Sequence, residues 1–173
     1  GGYVGVDIFF VISGYLISRN IITELIQTNK FNLKNFYTKR ARRILPVLFL
    51  VIISSIPFAW RILLPENFLE YAKSIIASIF GWSNIFFYFN TSQYGAESSL
   101  FKPFLHTWSL AIEEQFYLIF PIISIIIIKF FRKNILIIFL FLSSLSLIYS
   151  ELMLSGNPEL NFYLPFTRFW ELL

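Results

Sequence analysis

Residues 134–154 read NILIIFLFLSSLSLIYSELML, and this stretch decides the fold. It carries almost no polar chemistry over a length matching the roughly 20 apolar residues a helix needs to cross a bilayer's hydrocarbon core. Four other stretches approach the same character: 4–22, 45–64, 71–89 and 106–128. Their apolar residues come in continuous runs without the period-two alternation of a membrane barrel. Within hydrocarbon, only helices and closed barrels satisfy every backbone polar group internally. The expected fold class is therefore all-α, a polytopic transmembrane helix bundle with about five membrane segments.

Composition agrees. Of 173 residues, 57% are hydrophobic, 20% aromatic and 14% charged, and the mean hydropathy is +0.68. A soluble domain has about a quarter of its residues charged. The chain has no cysteine and a single histidine, so disulfide scaffolds, a cysteine nucleophile and thiolate or multi-histidine metal sites are not expected. The net charge of +4 does not point to a nucleic-acid partner, because the aromatic residues lie in apolar runs and do not interleave with a basic face. Excess positive charge on an apolar chain suits cytoplasmic membrane loops.

Charge also orients the chain. No acidic residue stands between Gln27 and Pro65, whereas Lys30, Lys34, Lys39, Arg40, Arg42, Arg43 and Arg61 do. The positive-inside rule places the 23–44 connection in the cytoplasm. If all five stretches cross, the loop with Lys129, Arg132 and Lys133 falls outside, against that rule; a re-entrant 71–89 would restore it. Stretch 71–89, with Lys73, Ser74, Ser78, Gly81, Ser83 and Asn84, reads as a span packed through small residues, or as a re-entrant or interfacial helix. Residues 90–105 read as a loop. The chain opens on Gly1-Gly2-Tyr3 and closes on Glu171-Leu172-Leu173 at the start of a helical pattern. Residues 1–173 are thus expected to be one membrane domain truncated at both ends.

Chemistry concentrates in four places. In Gly5-Val6-Asp7-Ile8-Phe9-Phe10-Val11-Ile12-Ser13-Gly14-Tyr15, Asp7 is costly in hydrocarbon unless it faces the bundle or anchors a helix start. Gly14 would admit another helix closely. In Phe36-Tyr37-Thr38-Lys39-Arg40-Ala41-Arg42-Arg43, Arg40 and Arg43 share a helical face. Their guanidinium forks suit the phosphates of a donor such as coenzyme A, although from the charges alone a topology anchor on anionic lipid headgroups is the favoured reading. In His106-Thr107-Trp108-Ser109-Leu110-Ala111-Ile112-Glu113-Glu114-Gln115-Phe116-Tyr117, His106 and Glu113 stand seven apart and Tyr117 follows Glu113 by four, spacings of one helical face. Intramembrane ionisable groups are functional candidates; the bland reading is interfacial anchoring with the glutamates satisfied by bundle partners. Finally, Arg168 and Glu171 can pair at three-residue spacing.

In order along the chain, GVDIFFVISGYLI, FYTKRARRILP, HTWSLAIEEQFYLIFP and FYLPFTRFWELL resemble acyltransferase family 3, the bacterial integral-membrane O-acyltransferases, from Gly1 to Leu173. The resemblance implies a multi-pass enzyme of the bacterial cytoplasmic (inner) membrane. Such an enzyme moves an acyl group, usually acetyl, from acyl-coenzyme A to a hydroxyl of an envelope polysaccharide or glycoside. It maps the donor-binding arginines onto Arg40 and Arg43, with Arg42 beside them. It maps candidate catalytic residues onto Trp108, Glu113 and Glu114. The family's histidine lies upstream of Gly1, so this segment alone is expected to be inactive. The competing reading is a transporter or flippase-like bundle for an envelope precursor, with Asp7, His106 and Glu113 as a polar pathway.

Overall fold

The computed structural model describes residues 2–91 and 102–173, and among them every regular element is helical. These are α1 (Gly2–Thr28), α2 (Leu33–Ile62), α3 (Pro65–Ile79), α4 (Ser83–Thr91), α5 (Thr107–Phe131), a 3-10 turn (Arg132–Asn134), α6 (Ile135–Gly156), α7 (Pro158–Tyr163) and α8 (Phe169–Leu172). Three helical stretches are long and apolar enough to cross a membrane: Val4–Thr28, Leu33–Ile62 and the 50-residue Thr107–Gly156. The last is interrupted by the 3-10 turn. The all-α membrane architecture expected from the apolar runs is the one observed. The expected loop 90–105 falls mostly outside the described residues.

Two compact units divide the chain, residues 1–31 with 112–173, and residues 32–111. In the first, α1 buries Phe10, Ser13, Ile17, Ile21 and Leu25 along one stripe of helical period. Its opposite face keeps Ile8, Val11, Ile12 and Tyr15 exposed. An apolar face left uncovered beside a packed stripe suits a helix of membrane-crossing length. Gly14 lies on the buried stripe, and a Cβ there would stand 2.7 Å from Leu172 Cα; the close approach expected of Gly14 is made by α8. Helices α5 and α6 fold back on each other. The Phe120 and Phe139 rings are 5.5 Å apart, whereas a straight helix would separate those positions by about 28 Å. Phe116 continues this aromatic column, 4.8 Å from Phe120 and 5.6 Å from Phe169.

The turn between α5 and α6 is tied to α1. Arg132 donates to the Ile26 carbonyl at 3.0 Å and to Asn29 Oδ1 at 3.2 Å, and a cation at a helix C-terminus complements its dipole. Asn29, at φ 51°, ends α1 by donating its backbone N–H to Leu25 O at 3.0 Å, a left-handed cap that asparagine tolerates.

In the second unit, α2 begins well before the expected 45–64. Asn32 caps it, its side chain accepting from Asn35 N at 3.0 Å. The expected 23–44 connection therefore shrinks to residues 29–32, and the basic cluster is helical. Stretch 71–89 is not one helix. Gly81, at φ 68°, breaks it, with Trp82 N bonding Ala77 O at 2.8 Å and Gly81 N bonding Ser78 O at 3.3 Å. That pair of bonds is a Schellman cap, which wants glycine at the left-handed position. Small hydroxyls then fix the start of α5: Ser78 and Thr107 hydroxyls are 2.8 Å apart, and Ser83 Oγ donates to Thr107 O at 2.8 Å. The small-residue packing expected of 71–89 is present, between α3, α4 and the first turn of α5.

Candidate functional site

Helix α5 carries the densest chemistry, and the boundary between the two units falls within it. Glu113 lies in the first unit and is 4% exposed. Ser13 of α1 and Tyr117, one turn further along α5, both donate hydroxyl hydrogen bonds to Glu113 Oε1. Burying a carboxylate without donors is costly, so the two hydroxyls are what let this group sit in an apolar bundle. The i,i+4 relation to Tyr117 follows from sequence spacing. The Ser13 contact does not, because its partner is 100 residues away along the chain. The only signal was a small hydroxyl beside Gly14 on the packed stripe. Glu114 is half-buried.

A second polar group lies in the same unit. Arg168 Nη1 is 2.8 Å from Glu171 Oε1 and 3.3 Å from Asp7 Oδ1. The Arg168–Glu171 pairing is the one expected from spacing. Asp7, in the second turn of α1, thus has a cationic partner, with its side chain 44% exposed. Glu171 is buried, and its Oε2 has no hydrogen-bond partner.

In the other unit, Trp108 is 8% exposed on the first turn of α5. His106 is exposed in the turn before that helix, its ring stacked on Phe104 at 6.2 Å. Helix α5 starts at Thr107, one residue after His106. Arg40, Arg42 and Arg43 ride on α2, with Arg42 and Arg43 exposed and Arg40 partly covered, its guanidinium 5.7 Å from the Phe36 ring. These groups can present several N–H donors to an anion.

Apolar helices of membrane-crossing length, with buried carboxylates held by hydroxyls and a guanidinium, define a helical membrane protein with a buried polar cluster. The chain matches the family described as "Acyltransferase domain" over residues 1–173 and belongs to it, which is the family its motifs resemble. Among its relatives are the proteins named O-acetyltransferase OatA from Staphylococcus aureus strains NCTC 8325 / PS 47, COL and MRSA252. Each is 39% identical over 145 residues, covering 84% of this chain and 24% of the relative. The chain thus spans about a quarter of the length of the curated relatives it matches. No solved structure matches it.

Proposed function

We propose that residues 1–173 form part of a membrane O-acetyltransferase domain in the bacterial cytoplasmic membrane. The whole protein moves an acetyl group from acetyl-coenzyme A to a hydroxyl of an envelope polysaccharide or glycoside. The observation that carries this reading is the 39% identity, over 84% of the chain, to proteins named O-acetyltransferase.

In the proposed reaction the acceptor oxygen attacks the thioester carbonyl carbon, an ester C–O bond forms and the C–S bond breaks. The acceptor's proton passes through a base to the departing thiolate, giving free coenzyme A. The family resemblance assigns that base to a histidine upstream of Gly1. Arg40, Arg42 and Arg43 hold the donor's phosphates; the exposure of Arg42 and Arg43 on α2 supports this role. Such binding converts affinity into positioning of the thioester. Glu113 is the positioning carboxylate, a role supported by its two hydroxyl donors. Trp108 and Glu114 complete the candidate catalytic set on the same helix.

The test uses the full-length protein in sealed vesicles supplied with acetyl-labelled coenzyme A on the face bearing Arg40 and Arg43. Alkali-labile label on the glycan fraction is expected, as is its loss in Trp108→Ala with membrane insertion intact. Passage of an unmodified envelope precursor without ester formation would support the transporter reading instead.

A further inference from the structure

The acyl-transfer reading makes no use of α3 and α4, yet the Schellman turn at Gly81 folds them around a groove. The groove has a volume of about 680 Å³ and is lined by Lys73, Ile76, Ala77, Phe80, Trp82 and Ile85 among others. That volume falls within the roughly 300–1,000 Å³ typical of small-molecule sites. Its walls are hydrocarbon and aromatic, with Ile76, Phe80 and Trp82 all exposed. Lys73, also exposed, is the one charged residue on its lining.

Among the described residues, Lys73 forms no ion pair. Glu70, one turn earlier, lines a separate crevice together with Lys102, and the ion pairs among the described residues both involve Arg168. A lysine can lay its methylene stem along apolar surface and hold its charge at the polar edge. A tryptophan favours the same headgroup level. An apolar groove with a single cation on its lining is complementary to an amphiphile with a negative head and a hydrocarbon tail. A second apolar protein helix would cover the walls and leave the ammonium unmatched.

We propose that the α3–α4 groove is a binding site for an anionic phospholipid, with an acyl chain along Ile76, Phe80 and Ile85 and the phosphate on Lys73 Nζ. The site is independent of the acetyl-transfer reading. The experiment is native mass spectrometry of the full-length protein titrated with phosphatidylglycerol or phosphatidylcholine. A photoactivatable phosphatidylglycerol is cross-linked in parallel and mapped by peptide sequencing. At least fivefold stronger retention of phosphatidylglycerol is expected, with cross-links on residues 73–86. Lys73→Gln should reduce retention to the phosphatidylcholine level. Equal retention of the two lipids, unchanged preference in Lys73→Gln, or cross-links confined to other helices would overturn the proposal.

Discussion

Glu113 depends on two hydroxyls from different helices, and the loss of either is measurable. Ser13→Ala removes a donor to a buried carboxylate, which costs about 1–3 kcal/mol. The full-length protein should show that loss as a lower unfolding midpoint in detergent, and an unchanged midpoint would remove Ser13 from the support of Glu113. Glu113→Gln keeps an acceptor oxygen while discarding the charge, so acetyl transfer should fall by more than tenfold with a smaller effect on the midpoint. Equal insertion and equal turnover would make Glu113 purely structural. Spacing along one helix revealed the Glu113–Tyr117 and Arg168–Glu171 relations, since i,i+4 and i,i+3 neighbours meet whatever the tertiary fold. Ser13 and the Asp7–Arg168 pair were not readable that way: their partners are 100 and 161 residues distant, and only the packing of α1 against α5 and α8 brings them together.

At the scale of elements, two glycines do different work. Gly14 lets the α8 backbone lie on α1, so Gly14→Ala should cost about 1–3 kcal/mol through overpacking. Gly81 sits in the left-handed region, so Gly81→Ala should cost about 1–2 kcal/mol through backbone strain alone. Thermal unfolding of the two variants checks both, and no shift in either would contradict the geometry at that glycine. The helices themselves were legible because a lipid-facing helix is apolar on every side and produces an unbroken run. Their ends were less so. The start of α2 at Leu33 is set by the Asn32 cap and runs through a basic stretch that hydropathy reads as a loop. The break at Gly81 looked like one more small residue in a packed span, because a glycine's φ is not written in its sequence.

For the whole molecule, the contact of Arg132 with the C-terminal end of α1 bears on how the proposed multi-pass chain threads the bilayer. It sets the basic turn of Lys129, Arg132 and Lys133 beside residues 26–29, the side the positive-inside rule assigns to the cytoplasm. Two points on one side are separated by an even number of crossings. In the proposed threading α2 and α5 supply two, so α3 and α4 would enter and leave on the same face. That threading would remove the charge conflict that five full crossings create. Impermeant thiol labelling of intact cells should therefore leave cysteines placed at Phe31 and Lys133 both unmodified; labelling of one but not the other would break the topology.

The arginines of α2 would carry the affinity for the donor. Charge-assisted hydrogen bonds are worth roughly 1.5–3 kcal/mol each, and about 1.4 kcal/mol is a factor of ten in affinity. The most direct measurement is equilibrium binding of acetyl-coenzyme A to the full-length protein and to its Arg40→Ala/Arg43→Ala variant. At least tenfold weaker binding is expected in the variant, with membrane insertion unchanged. Equal affinity in the two proteins would contradict it.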